Sequence, residues 1–158
     1  MRHPQGSGSA AAISGHPLHP MVVPFPLASL MFSFVADIAH LVSEDPFWAR
    51  ASLTLIVVGI VTGVAAAALG AWDLMRVPRA RQLGKAWAHG LINGVVMLLA
   101  LVNWATRSGT DVTALNMILS FATVVLLGIS GWLGGDLSYK HGVGVSPEIG
   151  GGESADRI

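Results

Sequence analysis

Four long apolar runs, separated by short polar connections, set the pattern of this chain. They cover about 21–43, 50–72, 86–106 and 112–135. Each reaches the roughly 20 residues that a helix needs to cross a hydrocarbon core about 30 Å thick. Residues 51–72, 86–106 and 112–135 contain no Asp, Glu, Lys or Arg, and the first run holds only Asp37. Lipid offers the backbone no hydrogen-bond partners, so such runs cross as helices. The pattern predicts an all-α integral membrane four-helix bundle made of two helical hairpins. A polar tail (1–20) precedes the 21–135 membrane domain, and a polar motif with a flexible Gly-rich tail (136–158) follows it.

Composition sharpens the class. Hydrophobic residues make up 53% of the chain and charged residues 11%, with a mean hydropathy of +0.63. Soluble domains carry about 25% charged residues, so the composition argues strongly against a water-soluble single domain. Of nine basic and nine acidic residues, all but Asp37 lie in the tails and connections. The net charge is zero and no basic block stands out, which argues against nucleic acid as a partner. Cysteine is absent, which excludes disulfides, thiolate metal sites, iron–sulfur ligation, covalent haem attachment and cysteine nucleophiles.

Trp48, Trp72, Trp87, Trp104 and Trp132 fall near span ends, as an interfacial aromatic belt does. Arg2, Arg76, Arg79, Arg81, Lys85, Lys140 and Arg157 share one side, against Arg50 and Arg107 on the other. This bias predicts a multi-pass plasma (inner) membrane protein with both termini cytoplasmic. The N-terminal tail lacks the basic start, apolar centre and cleavage site of a signal peptide.

With that topology His16, His19, His89 and His141 gather near the cytoplasmic interface, together with Asp73 and Asp136. Polar residues also collect at wet helix ends with no further role. A histidine near a helix N-terminus favours the neutral ring, which can ligate a metal or haem iron. His19 and His89 both fit that description. In extended polyproline conformation His16 and His19 lie roughly 9 Å apart. With Pro17 at the second position of a type I turn their Cα atoms come within about 7 Å, and joint ligation becomes feasible. Candidate haem ligands are therefore His19, His89, His16 and His141, and the alternative divalent-metal set is His16, His19, His89 and Asp73.

Small residues recur at four-residue spacing at Gly59, Gly63 and Ala67, at Gly90 and Gly94, and at Gly131 and Gly135. They serve either close helix packing or clearance for a flat cofactor. In the first span Ser29, Ser33, Asp37 and His40 share one face. An ionisable group inside a span must face protein or water. Asp37 with His40 as its nearest partner is either a proton or ion path or an interhelical clamp. Asn93, one turn beyond His89, either orients that ring or bonds another helix. A faint repeat, a histidine opening each hairpin and Trp with Asp-Leu closing it (GAWDL, GWLGGDL), would place His19 opposite His89 and Asp73 opposite Asp136.

At GHPLHPMVVPFP (15–26), GAWD (70–73), AHGLIN (88–93) and GWLGGDLSYKHGVGV (131–145) the chain resembles the prokaryotic domain-of-unknown-function family 2231. The resemblance runs over roughly 15–145. Some members of that family resemble fusions with Rieske iron–sulfur domains, and the family is distantly similar to b-type cytochromes. It implies a bacterial membrane redox role with His16, His19, His89 and His141 as the family's histidines and Asp37 as its first-span acid. Pro24 stands where the family usually has a histidine, so the chain departs from the family pattern within the candidate ligand region.

Three functions follow as expectations. The first is an electron-transfer component holding a b-type haem or a divalent metal. The second is a non-catalytic anchor or accessory subunit of a redox or transport complex, with a membrane-protein partner or a second copy. The third is a proton or ion conductor using Asp37 and His40. No nucleophile with a positioned base is evident, so a stand-alone enzyme is not expected.

Overall fold

The computed structural model describes residues 7–145. Arg2, Arg157 and the Gly-rich tail beyond residue 145 lie outside the described residues. Two short strands, β1 (Ala12–Ile13) and β2 (His16–Pro17), precede α1 (Leu18–Val22), α2 (Pro24–Ser43), α3 (Pro46–Arg76), α4 (Pro78–Gln82), α5 (Gly84–Ala105) and α6 (Ala114–Tyr139). Helices α1 and α2 form one span, Leu18–Ser43, and with α3, α5 and α6 give four helices long and apolar enough to cross a membrane. Pro24 sits at the first position of α2, where a missing N–H removes no intrahelical bond.

Helix ends follow local chemistry. Glu44 closes α2 in the left-handed conformation (φ 55°), its N–H bonded to the His40 carbonyl at 2.8 Å. Asp45 then caps α3 by accepting from Phe47 N at 2.8 Å, with Pro46 at the first helical position. The first turn is thus two residues, and α3 runs 31 residues where 50–72 was expected. Thr113 and Asn116 form a reciprocal capping box that opens α6. This helix passes through Gly134 and Gly135 to Tyr139, so Asp136 lies in a helix and not in a following loop.

The four long helices form a ring in which α2 packs on α3 and α6, and α5 packs on α3 and α6. Buried positions alternate three and four residues apart: Ala49, Ser52, Ile56, Gly59, Gly63 and Ala66 on α3, and Asn116, Ser120, Thr123, Leu127 and Ser130 on α6. A 3.5-residue period is the seam pattern of left-handed bundles, in which crossing angles near 20° are typical. The apolar core is small, centred on Leu30, Val96, Ala100 and Leu127. Ser33, Asp37, Ser52, Asn103, Asn116 and Ser120 are also buried, whereas Phe25, Phe32, Val61, Leu91, Leu98, Ile118 and Phe121 are exposed. An apolar exterior of this extent around a partly polar interior is built for lipid, not water.

Both ends of the described chain lie at the α3–α5 end of the bundle, here called the terminal end; the other is the turn end. Ser7 and Gly8 run beside Gly142–Val145, with Ser7 N bonded to Gly142 O and Gly8 N to Val145 O, both at 2.9 Å. The β1–β2 hairpin turns at Ser14 and Gly15, both at positive φ, before the chain enters α1.

Candidate functional site

At the terminal end, α1 and α5 each send one imidazole into the bundle. His19 Nδ1 lies 2.8 Å from the Ala66 carbonyl of α3. His89 Nδ1 lies 3.0 Å from the Ser130 carbonyl of α6. A carbonyl oxygen only accepts, so in both rings the proton sits on Nδ1 and Nε2 keeps its lone pair. The ring centroids are 6.4 Å apart with planes at 87°.

Each ring rests on a glycine one turn beyond its carbonyl partner. A Cβ on Gly70 would meet His19 Cε1 at 2.8 Å, and one on Gly134 would meet His89 Cε1 at 3.2 Å. The two hairpins therefore repeat one device: a histidine on the first helix, and a carbonyl with a glycine four residues later on the second. The expected apposition of His19 and His89 is present, across the diagonal of the ring. Asn93 does both things expected of it. Its Nδ2 reaches Ser130 Oγ at 2.7 Å, the His89 carbonyl at 2.8 Å and His89 Nε2 at 3.2 Å. Two N–H groups meet three acceptors there, so the distant Nε2 is the least satisfied.

The other sequence candidates lie apart. Pro17 is extended (φ −70°, ψ 123°), not in a type I turn, so His16 points away and its Nδ1 bonds the Ser14 carbonyl at 3.0 Å. Asp73 is engaged by the N-terminal segment: Ser9 Oγ donates to it at 2.8 Å, Ala10 N at 2.7 Å and Ala11 N at 2.9 Å. Asp136 instead pairs with Lys85 and Lys140. His141 follows α6 in a turn, its N–H bonded to the Asp136 carbonyl. Among the described residues no group of three or more His, Asp or Glu is disposed to hold a metal ion. The set His16, His19, His89 and Asp73 is thus not assembled, because backbone groups have claimed Asp73 and Pro17 turns His16 out.

The glycine faces also differ from expectation. Gly59 and Gly63 pack against Leu30 and Met97, whereas a methyl group at Gly90, Gly94 or Gly131 would meet nothing within 4 Å, since these positions face outward. Ala67 is exposed, and Ala66 takes the inward place. No flat slot is lined by these glycines.

A second polar centre lies towards the turn end, and its key partner is not evident from the sequence. Asp37, fully buried, is bound bidentately by Arg107: Nη1 donates to Oδ1 at 2.8 Å and Nη2 to Oδ2 at 2.7 Å. Ser120 Oγ donates to the same carboxylate at 2.6 Å, and Arg107 Nε donates to Asn103 Oδ1 at 3.1 Å. Asn103 and Asn116 extend the network to Thr106. His40 is not the partner of Asp37. Its Nδ1 bonds the Asp45 carbonyl at 3.0 Å, and its Nε2 lies 3.5 Å from Asp111. Arg107 counts in the sequence as a loop charge just beyond a span. The missed signal is spacing: Arg107 follows Asp37 by 70 residues, as His89 follows His19.

A family model described as "Predicted membrane protein (DUF2231)" matches residues 15–147. The chain belongs to this family. The match spans the paired histidines, the Asp37–Arg107 centre and all four spanning helices, so both polar centres lie within the DUF2231 region. No curated protein and no solved structure matches the chain.

Proposed function

We propose that this DUF2231 protein is a membrane electron-transfer component that holds a b-type haem through His19 and His89. The observation that carries the reading is the pair itself: two imidazoles from diagonal helices, both fixed as Nδ1–H tautomers by backbone carbonyls. Such second partners orient a ligating ring and raise its basicity. The nearness of the two rings, with centroids 6.4 Å apart, supports a group held by both. Two donors also suit a group that brings its own equatorial nitrogens, whereas a bare zinc-like ion needs three or four protein ligands. Bound haem would supply one-electron chemistry. His19 and His89 would hold it, while Asn93 would release the His89 Nε2 it now approaches. The bias of Lys and Arg supports the part of this reading in which this end faces the cytoplasm from a plasma membrane, towards a membrane-protein redox partner or a second copy.

A second reading has its own support. Each histidine, with its carbonyl and glycine, is also a complete interhelical clamp, as a non-catalytic anchor subunit would need. Conduction through Asp37 and His40 has less support, since Arg107 holds the carboxylate and His40 faces elsewhere.

An absorption spectrum and iron analysis of detergent-purified protein, expressed with haem available, separates these readings. A Soret band that His89→Ala abolishes while the helical signal and monodispersity persist supports ligation. A folded protein that is colourless and iron-free overturns the haem reading and leaves the clamp.

A further inference from the structure

We infer that the connection between the two hairpins is a docking surface for anionic phospholipid headgroups, with Arg76 and Arg81 as its phosphate-binding side chains. The stretch from Leu74 to Thr110 contains no acidic residue, yet carries Arg76, Arg79, Arg81, Lys85 and Arg107. Arg107 is buried against Asp37, and Lys85 is paired with Asp136. The acid nearest Arg76 in sequence, Asp73, is turned to Ser9, Ala10 and Ala11. Arg76 and Arg81 are exposed and have no acidic partner among the described residues.

Their surroundings set the depth. Val77 and Ala80 are buried, so the α3–α4 connection is pinned to the bundle while Arg76 and Arg81 stay exposed. The Arg76 guanidinium lies 4.6 Å from the centre of the Trp72 ring, which is itself 46% exposed. Trp87, 55% exposed, donates its Nε1 to the Arg81 carbonyl at 3.1 Å. Exposed tryptophans with one polar bond mark the headgroup level of a bilayer. A guanidinium stacked on an indole is oriented, and its fork suits the paired oxygens of a phosphodiester. Charge, depth and geometry together favour a lipid phosphate in the leaflet at the terminal end.

Native mass spectrometry of the full chain in neutral detergent, with equal phosphatidylglycerol and phosphatidylcholine, reads the ratio of the two bound lipids. Wild type is expected to favour phosphatidylglycerol. Arg76→Gln and Arg81→Gln should each lower the ratio by about five-fold, or to parity. Arg50→Gln, at the turn end, should leave it unchanged. A wild-type ratio of one, or a ratio unchanged in both single variants, overturns the inference. Complete displacement of the lipid by millimolar inorganic phosphate would assign the arginines to a soluble anion and overturn it as well. If the double variant loses its monodisperse peak, the single variants still decide.

Discussion

Removing Arg107 while keeping Asp37 should be among the most damaging single changes in the bundle. The Asp37 carboxylate has no exposure, and the Arg107 side chain is 1% exposed, so neither charge can turn to water. In Arg107→Leu the carboxylate keeps only Ser120, and Asn103 loses the Nε donor. Stranding one member of a buried ion pair costs about 3–5 kcal/mol. Asp37→Leu strands the guanidinium instead, with a similar expected loss. The double variant Asp37→Leu/Arg107→Leu removes both desolvation penalties and should fall within about 1–2 kcal/mol of wild type. The cycle then gives a coupling of several kcal/mol. Reversible unfolding in dodecylmaltoside titrated with sodium dodecyl sulfate, followed by far-ultraviolet circular dichroism, measures all four proteins. Single losses under about 1 kcal/mol, or a double variant equal to the sum of the singles, would refute a desolvated pair.

Three further outcomes test the packing. Gly70→Ala should destabilise by about 1–3 kcal/mol, because its methyl would overlap the His19 ring at 2.8 Å, while Gly90→Ala, with open space, should be neutral in the same unfolding assay. Thr123 Oγ1 is a buried polar atom without a hydrogen bond, so Thr123→Val should be neutral or stabilise by up to about 1–2 kcal/mol; a loss of that size would mean that the hydroxyl is bonded. Asp73→Ala should raise amide hydrogen exchange at Ala10 and Ala11 by at least about ten-fold, and unchanged protection there would show that Asp73 does not hold the N-terminal segment.

The number and order of the helices are legible from hydropathy, because lipid demands long uncharged runs. Their ends are less so. Asp45-Pro46 is a cap followed by a first-turn proline, a start signal that sits inside the stretch assigned to the turn. The inward faces defy hydropathy for a physical reason. The solvent is as apolar as the core, so small and polar residues turn inward and amphipathicity no longer points to the interior. Gly59 and Gly63 pack inward while Gly90 and Gly94 point out, though spacing alone treats them alike. The His19–His89 apposition was foreseeable from depth and repeat. The Asp37–Arg107 bond was not, since a basic residue beyond a span end reads as a topological charge until the shared 70-residue offset is noticed.

That offset bears on how the halves of the molecule choose each other. Where His19 meets His89 the two hairpins present the same residue, and a pair of identical hairpins would fit equally well. Where Asp37 meets Arg107 they do not. Two copies of the first hairpin would bring carboxylate against carboxylate, two copies of the second guanidinium against guanidinium, and a low-dielectric interior makes either mismatch costly. The salt bridge thus makes the two related halves non-equivalent: it fits hairpin one to hairpin two and disfavours either hairpin against its own copy.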